Sequence, residues 1–242
     1  MKKNLLVAVL FILALGCRNQ VDNISLTGQT SNSPLNNIDN ISFTKDNGLF
    51  ISGSSGDKYT LIKTDANLNI EWIKNDYDWG NFVHGSGWGA YSYGIKIVKV
   101  FETEDGNYVC FGAISEGGDV LFHSALIIVL DKNGKQIQKY RFDDTVLWAA
   151  LKTDNGYVLF GPQLIKLDNN FNKIWAKTIY NDTYFPSEIT ATADGGFAIT
   201  GSSYDQVYLE KIDANGNELF TKTYKRNDFP FEEGGFDLTQ LA

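Results

Sequence analysis

The sequence has little of the side-chain chemistry that binds metals or forms disulfides, with two cysteines and two histidines among 242 residues. Cys17 directly follows an apolar N-terminal run, whereas Cys110 lies in a strand-like segment. We therefore expect no disulfide and interpret Cys110 as a small buried thiol rather than a nucleophile. His84 and His123 fall in different insertions without a second histidine nearby. This pattern predicts no metal site and no cofactor.

Helical periodicity is almost absent after residue 20. Gly, Asn or Asp interrupts every apolar stretch before an i, i+3, i+4, i+7 pattern can develop. The composition is 43% apolar and 14% aromatic, which is ample for a buried core. These features predict an all-β domain.

The chain also lacks an excess of basic residues, with 21 Lys and Arg against 29 Asp and Glu, for a net charge of −8. An acidic surface does not attract the phosphates of nucleic acid or the headgroups of an anionic membrane. We therefore expect neither as a binding partner of the folded domain.

A fourfold repeat occupies most of the chain after residue 37. Each copy has an apolar strand, an Asp-Gly type turn, a strand that ends in glycine, a third strand that ends in aspartate, an Asn-rich turn and a fourth strand. Four strands per unit at this spacing predict a β-propeller-like array of about four four-stranded blades. The predicted repeats span residues 37–91, 92–142, 143–182 and 183–228, and their second turns begin at Asp65, Asp131, Asp168 and Asp213.

Residues 229–242 have the pattern of the first strand of a fifth repeat, without the Asp-Gly turn that would follow it. Two alternatives remain open for this strand. It closes the ring by pairing with the N-terminal blade, or the chain is a shortened relative of a longer propeller. A four-bladed array is also compatible with self-association, because an unclosed edge needs a partner strand.

The repeats resemble the quinoprotein-like and related β-propeller repeats of bacterial envelope proteins. The strongest matches are Asp-Gly-Gly-Phe-Ala-Ile-Thr-Gly at 194–201 and Asp-Ala-Asn-Gly-Asn-Glu-Leu-Phe at 213–220. The resemblance implies a docking role for the aromatic residue seven positions after the second-turn aspartate. This residue is Trp72, Trp175 and Phe220 in three repeats, and Gln138 replaces it in the second. Such motifs specify a fold better than a function.

The N-terminus has the pattern of a targeting segment. Lys2-Lys3 precedes an apolar run from Leu5 to Leu15 that is too short to span a membrane as a helix, and Gly16-Cys17 follows directly. This resembles a bacterial lipoprotein signal peptide at residues 1–16, which implies cleavage before Cys17 and a diacylglyceryl group on its sulfur. The alternatives are an ordinary secretory signal and an uncleaved anchor.

The lipoprotein resemblance implies a bacterial envelope location, with Cys17 as the attachment to membrane lipid. The residue after the cysteine is Arg18 rather than Asp, which favours the outer membrane under a sorting rule known for some lipoproteins. Cleavage removes two basic residues and no acidic ones, so the net charge falls from −8 to −10. Residues 17–36 are rich in Ser, Asn, Gln and Thr, and we predict a flexible tether there.

Two local patterns resemble ligand-binding motifs. The Asp-x-Asn turns at 131–134, 168–170 and 213–217 resemble the start of a calcium loop, but the further oxygen ligands of an EF-hand are missing. Their recurrence favours hairpin turns, in which Asn and Gly adopt positive φ at low cost. Residues 85–90 fit the Gly-x-Gly-x-x-Ala form of a dinucleotide fingerprint, but a β-branched, alternating segment follows instead of a helix.

The insertion at residues 75–93 is the strongest candidate for a binding site. It combines several aromatic residues with glycines, carboxylates and one histidine, and such a loop suits stacking on sugar rings and acceptance of hydroxyl hydrogen bonds. The alternative is that these aromatics pack inward and cap the first blade. We expect a second insertion, at 116–123, to lie beside it. The predicted ligand-binding residues are Trp79, Trp88, Tyr91, Tyr93, Asp78 and His84.

These observations favour a lipid-anchored, non-catalytic envelope propeller that binds a glycan or a protein partner. One alternative is a propeller-type carbohydrate-active enzyme, which needs two carboxylates about 5 to 10 Å apart in a pocket. The pairs Asp143-Asp144 and Glu232-Glu233 are adjacent in the chain, and we interpret them as solvated loop charges. The other alternative is a structural or assembly lipoprotein.

Overall fold

The computed structural model describes residues 35, 37–55, 58–75, 94–115, 122–179, 185–203 and 206–225. In these ranges the chain forms strands and turns, and no helix there is long and apolar enough to cross a membrane. The predicted signal peptide and the C-terminal strand lie outside the described residues. Leu35, which the sequence analysis assigns to the tether, is buried against an apolar cluster of the first sheet.

Each set of four consecutive strands forms one antiparallel sheet in chain order. The predicted fold class is confirmed, because the described residues form four four-stranded antiparallel sheets of the propeller-blade type. Blade 1 contains β1 (Asn37–Phe43), β2 (Leu49–Ser55), β3 (Lys58–Thr64) and β4 (Ile70–Lys74), and blade 2 contains β5 (Gly94–Glu102), β6 (Tyr108–Ser115), β7 (Phe122–Leu130) and β8 (Gln136–Asp143). Blade 3 contains β9 (Ala149–Thr153), β10 (Gly156–Phe160), β11 (Gln163–Leu167) and β12 (Lys173–Thr178), and blade 4 contains β13 (Phe185–Ala191), β14 (Phe197–Ser203), β15 (Gln206–Ile212) and β16 (Glu218–Lys225).

The chain divides into two compact units, of which the first ends at Asp144 and the second begins at Thr145. In the first unit the facing sides of blades 1 and 2 share one apolar core, which includes Phe50, Leu61, Cys110, Leu126 and Ile128. In the second unit the facing sides of blades 3 and 4 share another, which includes Phe160, Leu164, Phe197, Ile199 and Ile212. Each blade thus buries one sheet face against its neighbour within the same unit.

The second and third strands are the most buried strands, because apolar side chains cover both of their faces. Every residue of β7 from Ser124 to Leu130 is buried, and β10 is buried throughout. Such strands read as continuous apolar runs rather than as alternating patterns. The second insertion was predicted at 116–123, but its last two residues, Phe122 and His123, belong to β7.

Tryptophans dock the blades of each unit to one another. The Trp72 indole N–H donates a hydrogen bond to the carbonyl oxygen of Lys132 at 3.1 Å, and the Trp175 N–H donates one to the Ala214 oxygen at 3.2 Å. The docking role is therefore confirmed for these two residues. Phe220, at the equivalent position of blade 4, is exposed, with the Lys222 ammonium 5.5 Å from its ring centroid.

The first strands of three blades share a β-bulge directly opposite a glycine of the second strand. The sequence analysis predicts that each second strand ends in this glycine, but β2, β6 and β14 continue two or three residues beyond it. The register shifts after Ile38, Ile97 and Pro186, which pair with Gly53 of β2, Gly112 of β6 and Gly201 of β14. Each shift leaves one residue of the first strand without a cross-strand partner, and these residues are Asp39, Val98 and Ser187. A bulge bends the strand and re-aims the side chain that it carries.

Candidate functional site

The strand directions divide the connections of the first unit between its two ends. The β1–β2, β3–β4, β5–β6 and β7–β8 hairpins lie at one end, which we call the turn end. The β2–β3 and β6–β7 connections and the β4–β5 connection leave from the opposite end, which we call the insertion end. The described residues on either side of the undescribed parts of the two predicted insertions, Asn75 with Gly94 and Ser115 with Phe122, therefore lie at the insertion end.

The site residues predicted from the sequence lie outside the described residues. This applies to Trp79, Trp88, Tyr91, Tyr93, Asp78 and His84, and also to Cys17. Their roles therefore stay predictions. The structure describes the strands on which the 75–93 insertion is mounted and the polar groups beside them.

The aspartates of the second turns are occupied by their own hairpins. One Asp65 oxygen accepts the backbone N–H groups of Asn67 at 2.9 Å and Asn69 at 2.7 Å, and the other accepts the Asn69 side-chain amide at 2.9 Å. Asp168 and Asp213 make the same three bonds. The asparagine amides and the backbone N–H groups lower the pKa of all three carboxyls. Asp131 accepts the backbone N–H groups of Asn133 and Lys135 in the same way. The prediction that the turns at 131–134, 168–170 and 213–217 are hairpins is confirmed, because antiparallel strand pairs flank all three.

A buried lysine uses two further carboxylates at the turn end. The Lys63 ammonium lies 2.7 Å from Asp46, 2.9 Å from Glu71 and 2.6 Å from the Thr64 carbonyl oxygen. Burial alone would raise the pKa of Asp46, but hydrogen bonds from Lys63, Thr44 and the Gly48 backbone outweigh it and lower the pKa to about 2. Among the described residues, no group of three or more His, Cys, Asp or Glu side chains could hold a metal ion.

Cys110 lies in the core between blades 1 and 2. Its thiol is fully buried, and burial raises its pKa far above the ordinary value. A thiol that stays protonated is a poor nucleophile. The interpretation of Cys110 as a small buried side chain is therefore confirmed.

The insertion end contains a polar cluster that the sequence analysis did not identify, formed by Asp39, Tyr59 and Lys96. Tyr59 extends from β3 towards blade 2, where its hydroxyl oxygen accepts the backbone N–H of Ile97 at 2.8 Å. The same hydroxyl donates a hydrogen bond to the Asp39 carboxylate on β1. Lys96 on β5 contributes a favourable charge to Asp39. Three strands from two blades thus converge on one carboxylate.

The electrostatics of the cluster follow from its partial burial. Burial raises the pKa of Asp39, and the Tyr59 hydrogen bond and the Lys96 charge oppose that effect without cancelling it. Burial, together with the nearby Asp39 charge, raises the pKa of Tyr59 well above its ordinary value. Tyr59 therefore keeps its proton at neutral pH and acts as a hydrogen-bond donor to Asp39.

Asn40, the residue after Asp39, connects β1 to the bulge of β5. Its side-chain amide donates to the Val98 carbonyl oxygen of β5 at 3.2 Å, and its own oxygen accepts the Ser42 hydroxyl at 2.8 Å. Together with Tyr59, it satisfies two backbone groups at the β5 bulge. Side chains from β1 and β3 therefore hold the β5 backbone next to Lys96, and Asn40 ties the residue after Asp39 to that strand.

The described residues of the second unit contain no equivalent of this cluster. Pro162 stands six residues before its second-turn aspartate, where blade 1 has Tyr59. Pro186 lies opposite Gly201 of β14, where blade 2 has Ile97, and proline has no N–H to donate. Blades 3 and 4 pack without a tyrosine in this place, so the fold does not require one. A comparison of the repeat copies position by position would have found Tyr59 as a departure.

Comparisons with known proteins add little to this picture. No protein-family model matches the chain, and no curated protein matches it. Among solved structures, the chain is similar to the crystal structure of a protein from Lactobacillus plantarum, with 11% sequence identity and a TM-score of 0.47. The similarity covers 80% of this chain and 59% of that one. The fold assignment therefore depends on the four sheets themselves.

Proposed function

We propose that this protein is a lipid-anchored, non-catalytic propeller of the bacterial envelope, and that it binds a glycan or a protein partner at the insertion end of its first unit. The lipid anchor is inferred from Cys17 and the apolar run before it. The binding role is inferred from the contrast between the two ends of the first unit.

One observation carries the binding role. Both insertions are mounted at the end that holds the Asp39–Tyr59–Lys96 cluster, whereas the turn-end carboxylates of Asp46 and Asp65 are used by hairpins and by the buried Lys63. Glycan sites combine aromatic faces with a few placed polar groups. The insertion supplies the aromatic faces in this proposal, and the strands supply the polar groups.

A glycan array that compares the wild type with Trp79→Ala and Trp88→Ala tests the binding role. We expect the wild type to bind at least one glycan and each substitution to weaken that binding at least tenfold, since the stacking of a sugar ring depends on the aromatic face. Trp148→Ala is the matched control, because Trp148 is an exposed tryptophan on the second unit. Loss of binding in the control alone, or binding unaffected by both insertion variants, contradicts the proposed site.

Lipid attachment is tested separately. In bacteria fed a radioactive or clickable fatty acid, the wild-type chain should take up label and fractionate with membranes. The Cys17→Ser variant should lose the label, whereas the Cys110→Ser variant should keep it because Cys110 is buried in the core. Equal labelling of the wild type and Cys17→Ser contradicts the anchor.

A further inference from the structure

We infer that Asp39 and Lys96 contact the ligand directly, that Tyr59 positions Asp39, and that the ligand is a neutral, hydroxyl-rich molecule such as an uncharged oligosaccharide. This inference rests on the proposed binding function and adds a residue set and a ligand class to it.

Both charged groups are within reach of a ligand. Asp39 is half-buried and Lys96 is exposed, whereas Tyr59 is 6% exposed and cannot present its ring to solvent. Tyr59 donates one hydrogen bond to the carboxylate, and an ionised carboxylate can accept about four. The Asp39 carboxylate therefore keeps acceptor capacity for a ligand while its position is fixed.

The position of Asp39 on the bulge argues for a role beyond blade packing. β-Bulges are over-represented beside binding sites because they re-aim one side chain without ending the sheet. The equivalent bulge residues are Val98 in blade 2 and Ser187 in blade 4, so a carboxylate is not needed to form the bulge. A half-buried carboxylate also costs solvation energy.

The charges of the cluster select the ligand class. Asp39 is an acceptor and Lys96 is a donor, and their charges cancel. Neighbouring sugar hydroxyls can donate to the carboxylate and accept from the ammonium at the same time. An anionic ligand would meet the repulsion of Asp39, and a cationic one would meet that of Lys96. A neutral polyhydroxylated ligand satisfies both groups.

Titration calorimetry with a panel of neutral and acidic oligosaccharides tests the inference on the full chain. We expect Asp39→Asn and Lys96→Met each to weaken binding of a neutral oligosaccharide about tenfold or more, since each removes a charged hydrogen-bonding group. Asp154→Asn and Lys152→Met are the matched controls, because both residues are exposed on the second unit, and they should leave the affinity unchanged.

The positioning role of Tyr59 has its own readout. Without the Tyr59 hydrogen bond the carboxylate of Asp39 is harder to ionise, so its pKa rises further. When the pH is lowered, the Tyr59→Phe variant should therefore lose binding at a higher pH than the wild type does. An unshifted pH profile contradicts the positioning role. If Tyr59→Phe does not fold, Asp39→Asn and Lys96→Met still decide the ligand contacts.

The outcomes separate this inference from the proposed function. Binding that Trp79→Ala abolishes but that Asp39→Asn and Lys96→Met leave unchanged overturns the inference and leaves the function standing. Preference for acidic over neutral oligosaccharides overturns the ligand class alone. Absence of binding to every oligosaccharide overturns the inference together with the glycan form of the function.

Discussion

The Trp72 indole covers Gly134 of the neighbouring blade so closely that a Cβ atom on that glycine would lie 3.0 to 3.1 Å from three ring carbons. Trp175 covers Gly216 in the second unit in the same way, at 3.1 to 3.2 Å. Both glycines have positive φ, 76° and 84°, as the left-handed position of a hairpin requires. Each of these glycines thus serves both the local turn and the long-range contact between blades.

Gly134→Ala should therefore destabilise the protein more than a turn substitution alone. Alanine at positive φ costs about 1 to 2 kcal/mol, and the added methyl group must also displace the indole. Gly106→Ala is the matched control, because Gly106 has a φ of 79° and nothing within 4 Å of its Cβ position. Urea unfolding of both variants measures the difference. Equal losses would show that the indole contact contributes nothing.

Lys63 and Lys166 occupy equivalent positions but should respond differently to substitution by methionine. Hydrogen bonds from Lys63 to Asp46 and Glu71 overcome the effect of burial and raise its pKa, so its ammonium is well stabilised. Burial lowers the pKa of Lys166 despite the nearby charge of Asp154. We expect Lys63→Met to cost about 2 kcal/mol in urea unfolding and Lys166→Met to be neutral or stabilising. The reverse order would contradict this account.

Acid should weaken the turn end. The folded-state pKa of Asp46 is about 2, below its ordinary value of 3.8, so its carboxylate stabilises the fold above about pH 4 and loses that effect as the pH falls towards 2. Asp46→Asn should therefore lower the melting temperature at pH 7 and have a progressively smaller effect below pH 4. Differential scanning calorimetry across this range measures it. A difference in melting temperature between the two proteins that stays constant with pH would exclude the carboxylate charge as the cause.

Asp39 should show the opposite linkage. Because burial raises its folded-state pKa, the ionised carboxylate opposes folding at neutral pH, and this opposition disappears as the pH falls below the folded-state pKa. Asp39→Asn should then melt at a higher temperature than the wild type at pH 7, and the two curves should converge on acidification. A lower melting temperature for Asp39→Asn at pH 7 would mean that the carboxylate stabilises the fold.

Cys110 should be unreactive until the first unit opens. Its thiol is 0% exposed in the core between blades 1 and 2, and its pKa is raised by burial. In a Cys17→Ser background, a thiol reagent at pH 8 should label no cysteine in the native protein and one cysteine after addition of urea. Rapid labelling of the native protein would show that the core between these blades opens readily.

Several features could be predicted because their physical causes lie within a few residues. The hairpins at Asp65 and Asp213 depend on a carboxylate that accepts N–H groups two and four positions later, and that pattern is visible in the sequence. The buried runs of β7 and β10 follow from residue type alone. The docking role of the tryptophans was implied by the resemblance, which places an aromatic residue seven positions after the turn aspartate.

The Asp39–Tyr59–Lys96 cluster could not be predicted in this way. Tyr59 meets Ile97 across 38 positions of the chain, and neither residue belongs to a local pattern that distinguishes it from a core residue. The register of the bulge decides that Asp39 is re-aimed, and register depends on the pairing of whole strands. The residues of the 75–93 insertion, predicted from composition, stay a prediction.

The sequence by itself determined the four described blades and their turns, because these follow from short-range backbone preferences and strand periodicity. The docking role of Trp72 and Trp175 was implied by the resemblance to propeller repeats. The tertiary structure decided that Trp72 lies on Gly134, that Lys63 forms ion pairs with Asp46 and Glu71, and that Tyr59 connects Asp39 to the next blade. These contacts join residues that are brought together only when sheets form and blades pack, and burial then sets the charge state of each group.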